Sequence, residues 1–512
     1  MEMTLSTLLD LNANKHPDLE IVIFEDARAT CSRLRDKANQ RASALLSTGI
    51  EKGDHVAVLG TNCMELVETF FAIWRIGAVF VPLNFRNSPD ELTYVVNHSD
   101  ATSIIFQDKF EETVMKMKPS INEVQKFMIM GEGPSQDFID FEVMTSEASI
   151  ESPAVEVKEE DTATILYTAG TTGKPKGVLA THRNWIWACL GIRILGEKFW
   201  PDRPKSLLCG PYFHTGGLGN FLYCFFNQAP QVVLKKFDPR TALEWIEKEK
   251  INRLQGVSTT YNLILQVPDI KKYDLSSIHT LGSGAETMPD ETRNRLKDVC
   301  PTAGIEEGYG MTESCGFIAA RTREYTASKP YSVGFSPFTI EVRVVDEQGH
   351  DIAPNEVGEI VIRGPNIMKE YYKDPEKTAD ALRDGWLWTH DLGKMDEDGF
   401  LYIIERKHDM IKSGGENIYP KEVEDVLYRH PKITEAAVFG VPDPIWGQNV
   451  HAAVVLEKGK HMTVKEVVEF CKANLASFKK PKQVEFVETL PRSPIGKILR
   501  SELRKRFQNQ GK

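Results

Sequence analysis

Short apolar runs alternate with longer amphipathic stretches through the first third of the chain. "DHVAVLG" (54–60) reads as a buried strand, "MELVETFFAIWRIG" (64–77) as a helix with one apolar face, and "ATSIIFQ" (101–107) as a strand again. This alternation predicts layered α/β sheets with largely parallel strands. Residues 142–161, acidic and containing Pro and Ser, read as an exposed connection. After about residue 330 the texture changes. "EVRVVDEQG" (341–349), "GEIVIRG" (358–364) and "GFLYIIERKHDMI" (399–411) are short strand patterns separated by turn residues, as in a small β-barrel-like part. The last hundred residues alternate again: a helix with Pro at its start (420–431), the strands "EAAVFGVPD" and "HAAVVLEKG", and a helix over 463–475. They predict a small α+β domain. No repeat at a period of 20 to 50 residues is visible, which disfavours solenoids and propellers.

The length, 512 residues, exceeds what one compact core usually holds, so two or more domains are expected. With 41% hydrophobic and 26% charged residues the composition is that of a globular protein. The net charge is −11, from 62 basic and 73 acidic residues, and argues against nonspecific nucleic-acid binding. A nucleotide ligand would have to be met by local Lys and Arg or by a metal. Eight cysteines at 31, 63, 189, 209, 224, 300, 315 and 471 form no Cys-x-x-Cys pair. Reduced, mostly buried thiols in a cytoplasmic protein are expected. The N-terminal stretch has no basic start or long apolar core, so no secretion signal is expected. The apolar stretch 70–83 carries Arg75, ends near Pro82, and is too short to span a bilayer.

The stretch richest in chemistry is "YTAGTTGKPKG" (167–177). It is not a Walker loop: two residues, not four, separate Gly170 from Gly173, and Pro175 follows Lys174. Pro175 pushes Lys174 toward extended geometry, so no helix starts there. With strand-like "ATILYT" before it and "GVLATH" after it, the stretch reads as a strand–turn–strand loop. Its hydroxyls, backbone amides and lysines suit phosphate oxygens. A Gly/Lys loop by itself is more often a solvated hairpin.

Five further segments change that balance: "LGSGAE" (281–286), "EGYGMTES" (307–314), "WLWTHDLG" (386–393), "ERKHDMIKSGGENIYP" (405–420) and "PRSPIGKILR" (491–500). Together with the loop, and in this order, they resemble the signatures of the adenylate-forming superfamily, in its acyl-CoA synthetase branch. That superfamily also holds peptide-synthetase adenylation domains and firefly luciferase. The resemblance covers nearly the whole chain. It implies a large N-terminal domain over 1–406, a hinge at 407–408 and a small mobile C-terminal domain over 409–512.

The resemblance also implies roles. Thr171, Thr172 and Lys176 would hold the β- and γ-phosphates of ATP and release pyrophosphate, with Thr168 and Gly173 as further ATP contacts. Tyr309, read as an exposed ring between Gly308 and Gly310, would stack on adenine, with Gly284, Ala285 and Glu286 beside it. Thr312 would touch the α-phosphate and Glu313 would hold Mg²⁺, a hard cation that prefers oxygen ligands. Asp391 and Arg406 would bind the ribose, although His390 stands where the family usually has Gly. His214, in the "GPYFHTGGLG" segment (210–219), would line the acyl pocket with Gly217, Ser283, Gly284 and Met311. It would also gate the thiol route. The aromatic stretch "NWIWACL" (184–190) would either wall the acyl site or belong to the core. Lys497 would be the catalytic cation where the carboxylate meets the α-phosphate, with Thr312 and His214 beside the chemistry. His408 would be the pivot, where Asp or Lys is usual. Lys412, Ser413, Gly414 and Gly415 would face the pantetheine arm of CoA.

The expected activity is therefore ATP-dependent ligation of a carboxylic acid to CoA through acyl-AMP, on a fatty or other apolar acid, with aryl acids kept open. Loading of a carrier-protein thiol is the near alternative. The absence of Asp after "FH" disfavours amino acids. A luciferase-like oxygenase has no distinguishing motif. A non-catalytic nucleotide or acyl sensor is disfavoured by intact Glu313, Asp391 and Lys497, and Pro175 disfavours a phosphate-loop ATPase. A homodimer is compatible with the sequence but not fixed by it.

Overall fold

The computed structural model of the chain describes residues 2–131, 137–168, 174–196, 203–284, 288–407, 409–413, 416–492 and 498–510. Packing divides the chain into two compact units. The first holds Met1–Glu341 and Ile362–Leu387; the second holds Val342–Val361 and Trp388–Lys512.

The first unit carries two eight-stranded sheets. In one, the strands Thr162–Thr168, Val79–Leu83, His55–Leu59, Ser103–Gln107, Lys126–Met130 and Ile139–Asp140 run parallel. The strands Lys176–Thr181 and Glu370–Tyr371 then add antiparallel at one edge. In the other, Gly304–Tyr309, Thr280–Ser283, Arg253–Gly256, Ser206–Leu208, Gln231–Val233 and Glu20–Phe24 run parallel between two antiparallel edge strands. The parallel strands predicted from buried apolar runs are therefore present.

Apolar residues on both faces of each sheet make three layers of core. The central one joins inward residues of both sheets (Val22, Val56, Phe80, Leu208) to the helices Leu5–Lys15, Cys31–Ser47, Met64–Arg75 and Thr215–Phe226. Outer cores cover the far face of each sheet. The helix over 64–75 differs from its prediction. It is buried on all sides, not on one face, and only Glu65 of its twelve residues escapes burial. Its charges are paired: Arg41 donates to Glu68 at 2.9 Å, and Arg75 makes two bonds to Asp10 at 2.7 and 2.8 Å. A charge sequestered from water requires such partners. Residues 142–161 also begin with structure, the helix Phe141–Glu147 capped by Asp140, before the irregular connection.

The strand Trp386–Met395, most of it in the second unit, pairs antiparallel with Leu401–Arg406 in a five-stranded sheet, which is the small β part. The C-terminal residues form a further sheet around the long hairpin Ile433–Asp443/Gly447–Leu456. Pro420–Tyr428 starts with proline, and Val464–Asn474 starts with a Thr463/Glu466 capping box. Both helices pack on one face of this sheet (Val423, Leu427, Val467), and Leu503 of Arg500–Gln510 packs on the other. Among the described residues no helix is long and apolar enough to cross a membrane. All eight cysteines are free thiols, seven of them buried.

Candidate active site

Of the phosphate loop, Thr171, Thr172 and Gly173 lie outside the described residues, but its two walls do not. Thr168 ends one strand and pairs with Lys176, which opens the antiparallel next one. The strand–turn–strand reading therefore holds, and no helix follows Lys174. The exit of the loop is held from behind by the helix Pro89–His98. Tyr94 Oη donates to the Pro175 carbonyl at 3.3 Å, and the Lys174 ammonium sits 5.1 Å from the Tyr94 ring centre. His98 Nδ1 lies 2.8 Å from Tyr167 Oη. Burial, reinforced by Lys373, lowers the His98 pKa, which favours the neutral ring.

Lys176 leads to the metal candidate. Its ammonium lies 4.2 Å from the centre of the Tyr371 ring, and Tyr371 Oη donates to Glu313 Oε1 at 2.6 Å. Glu313 is buried, in the short 3₁₀ turn Thr312–Ser314. Among the described residues its second carboxylate oxygen makes no hydrogen bond. A buried carboxylate with one oxygen oriented and the other open suits a hard divalent cation completed by phosphate oxygens. Tyr371 was not among the residues expected from sequence. It lies 58 positions from Glu313 and meets it only through the antiparallel edge strand, so no local spacing marks it.

Thr312 meets the start of the helix Thr215–Phe226: Thr215 Oγ1 donates to Thr312 Oγ1 at 3.0 Å. His214 is the N-cap of the helix Thr215–Phe226, and its Nδ1 accepts from the Gly216 amide at 3.0 Å. Gly217 opens onto backbone, not onto space, since a Cβ there would stand 2.1 Å from the Pro211 carbonyl oxygen. Gly310 is similar, with the Gly316 carbonyl oxygen at 2.2 Å. Gly284 differs, because among the described residues such a Cβ would meet only the Gly308 carbonyl oxygen, at 3.6 Å. Ser283, one position earlier in the pleat, points to the opposite face and is buried. Met311 is half-buried, and its amide is held by Ser314 Oγ. Tyr309 is buried at the end of its strand, not exposed as expected. Of the aromatic stretch 184–190, Trp185 belongs to the core and donates to Thr164 Oγ1 at 3.0 Å. Ala285 and Glu286 lie outside the described residues.

In the second unit Asp391 and Arg406 face each other across paired strands, with Arg406 Nε 3.0 Å from Asp391 Oδ1. Asp391 is buried, and its amide is held by Thr389 Oγ1. His390 has φ +57°, the left-handed region where glycine is at ease. That conformation explains why the resembling family favours Gly here. The cost is offset locally: the His390 amide and Nδ1 both reach Glu359 Oε1 at 3.2 Å, and Lys407 Nζ reaches Glu359 Oε2 at 2.8 Å. Burial alone would raise the Glu359 pKa, but hydrogen bonds from His390 and Lys407 outweigh it and hold it at about 2.

Lys412 and Ser413 form a short strand against Glu416–Ile418, and the Lys412 amide donates to Gln448 Oε1 at 2.8 Å. His408, Gly414, Gly415 and Lys497 lie outside the described residues. The residues flanking 493–497 are tied together by an antiparallel bridge between Arg492 and Ile498.

Residues 9–372 match the family model described as AMP-binding enzyme, and residues 422–497 match the AMP-binding enzyme C-terminal domain. A feruloyl-CoA synthase of Amycolatopsis sp is 36% identical over 97% of both chains. A long-chain-fatty-acid–CoA ligase of Bacillus subtilis (strain 168) is 35% identical over 98% of this chain and 94% of its own. Among solved structures, an anthranilate CoA ligase in complex with anthranoyl-AMP superposes with TM-score 0.93 at 25% identity, covering 100% of this chain and 98% of that one. The o-succinylbenzoate CoA synthetase of Bacillus subtilis, in complex with its acyl-adenylate intermediate, gives 0.85 at 30% identity over 98% of both chains. The chain belongs to the AMP-binding family of adenylate-forming enzymes. Within it, the chain is an AMP-forming ligase of the acyl-CoA synthetase branch.

Proposed function

We propose that this enzyme joins a carboxylic acid to CoA in two half-reactions, with these residues in the following roles. The acid carboxylate attacks the α-phosphorus of ATP, an acyl-phosphate bond forms, and pyrophosphate leaves. The CoA thiolate then attacks the acyl carbon and AMP leaves. The observation that carries the reading is the line Lys176–Tyr371–Glu313, in which one tyrosine sets a phosphate-binding cation beside a cation-binding carboxylate.

Lys176 and the loop residues Thr168, Thr171, Thr172 and Gly173 hold the departing phosphates. Glu313 holds Mg²⁺, which would supply charge neutralisation on the phosphate oxygens when bound. Thr312 hydrogen-bonds the α-phosphate, while Tyr309, Gly310, Gly284, Ala285 and Glu286 surround adenine. Asp391 accepts from the ribose hydroxyls and Arg406 keeps that carboxylate oriented. Lys497 neutralises charge where two anions meet. The small C-terminal part, from 409 onward, turns about 407–408 between the half-reactions, and Lys412, Ser413, Gly414 and Gly415 then line the thiol path. His214, Gly217, Ser283 and Met311 belong to the acyl side.

The test is pyrophosphate release with ATP and Mg²⁺ over fatty, aryl and amino acids, with and without CoA, with products identified by mass. Acid-dependent pyrophosphate and an acyl-CoA product are expected. Pyrophosphate and acyl-AMP without thioester would point to a carrier-protein thiol as acceptor. No pyrophosphate with any acid would overturn the reading.

A further inference from the structure

The inner face of the sheet that carries Gly284 is not apolar. Side chains alternate along a strand, so Arg253 and Gln255, Gly282 and Gly284, and Glu306 and Gly308 share one face. The registers set these strands side by side: Gln255 pairs with Gly282, and Gly282 with Glu306. Leu254, Leu281 and Ile305 take the other face and fill an outer core. The inner face lies under the helix Thr215–Phe226. Tyr223 of that helix stacks 5.5 Å from the Arg253 guanidinium, and Asn220 accepts from both Arg253 Nη atoms at 3.3 and 3.4 Å.

A central strand covered by a helix is ordinarily dry. Here Gln255, Gly284, Gly308 and Asn220 all keep partial solvent contact, while Arg253, Gly282 and Glu306 on the same face are buried. A Cβ on Gly308 would meet only the Ala319 carbonyl oxygen, at 3.7 Å, among the described residues, so there is room above Gly284 and Gly308 together. The room is closed at one end by Gln255. Its Oε1 would be 2.0 Å from a Cβ on Gly282, so the amide lies over that glycine. Arg253 Nη2 donates to the same Oε1 at 2.9 Å, which orients the amide. Among the described residues Gln255 Nε2 makes no hydrogen bond.

The helix supplies a ruler. Its first residue, Thr215, bonds Thr312, and Asn220 is five residues on, about 7–8 Å along the axis at 1.5 Å per residue. This inference rests on the ligase reading above, in which Thr312 marks the reacting end. We propose that the acid is compact and carries a hydrogen-bonding oxygen, hydroxyl or carbonyl, at its far end. Gln255 Nε2 binds that oxygen, and Arg253 and Asn220 hold the amide in place. This departs from the apolar acid expected from sequence. A long alkyl tail would leave the Gln255 amide N–H facing hydrocarbon, which desolvation disfavours.

The experiment compares hydroxyl and methyl partners of matched size on three frames, benzoate, cinnamate and hexanoate, with dodecanoate added. kcat/KM for pyrophosphate release is measured with ATP and Mg²⁺. On the frame used best, the hydroxyl partner should lead by tenfold or more, since a site built to bond a hydroxyl rejects the analogue that lacks it. Gln255→Leu should bring that ratio toward one while leaving the KM for ATP in place. A methyl partner or dodecanoate used as well as the hydroxyl acids by the parent enzyme would overturn the proposal without touching the ligase reading. So would a ratio unmoved in Q255L. Pyrophosphate from no acid would overturn both.

Discussion

At the scale of single residues, charge decides most of what can be tested. The proposed role of Lys497 in the adenylation step rests on chemistry: a positioned ammonium stabilises charge that grows only in the transition state, typically a factor of about 10²–10³. Lys497→Ala should slow acyl-AMP formation by that order and leave thioester formation from supplied acyl-AMP nearly intact. Equal loss in both half-reactions, with the fold retained, would remove Lys497 from that role. Tyr371→Phe deletes the hydroxyl that orients Glu313. It should raise the Mg²⁺ concentration needed for half-maximal pyrophosphate release and leave the KM for the acid unchanged. A change in the KM for the acid alone would point elsewhere. Glu359 gives a stability prediction. Its folded pKa, about 2, lies below its ordinary value of 4.5. Deprotonation therefore favours the folded state, and the contribution is complete above about pH 4.5 and lost as pH falls toward 2. Between pH 5 and 3 the melting temperature of the parent should fall faster than that of Glu359→Gln. Parallel curves would mean that the His390–Glu359–Lys407 cluster does not set acid stability.

At the scale of elements, the helix Met64–Arg75 is the central beam. Phe70 is fully buried among the rings of Phe71, Trp74, Phe80, Tyr212 and Phe221, at centroid distances of 4.9 to 5.7 Å. Phe71 and Trp74 belong to the same helix, Phe80 to the strand Val79–Leu83, Phe221 to the helix Thr215–Phe226, and Tyr212 to the turn before that helix. Phe70→Ala should cost about 3–5 kcal/mol, from lost transfer energy and the cavity left behind. Urea unfolding checks this, with the midpoint lowered and the slope unchanged. A loss below about 1 kcal/mol would mean that the surrounding rings collapse into the space. The strand and helix periods were legible here because burial and period agree. The complete burial of 64–75 was not, because Glu68 and Arg75 look like a polar face until their partners Arg41 and Asp10 are known. Residues 142–147 were missed as a helix for a related reason: an acidic, serine-containing segment reads as loop unless its Phe141 is seen in the core.

At the scale of the whole molecule, the chain holds several separate cores in two packing units. Multi-domain chains depart from two-state unfolding. Calorimetry should therefore give a measured enthalpy larger than the van't Hoff enthalpy, and ATP with Mg²⁺ should move the profile upward. A single two-state transition would mean that the cores unfold together.

By itself the sequence determined the fold class, the order of the motifs and the family's chemistry. These depend on local periodicity and on residue types at fixed spacing, which survive without knowledge of distant partners. It also flagged His390 as a departure. Only the tertiary structure decided why that position favours glycine, by giving its φ of +57°, and what compensates for it, by bringing Glu359 and Lys407 to it. It alone brought Tyr371 to Glu313 and turned Tyr309 inward. It alone brought Arg253 and Gln255 of one strand to Asn220 of the helix Thr215–Phe226, on the sheet face that also carries Gly284. Each of these depends on strand register and on pairs far apart in the chain, and a linear pattern of apolar and polar positions carries neither.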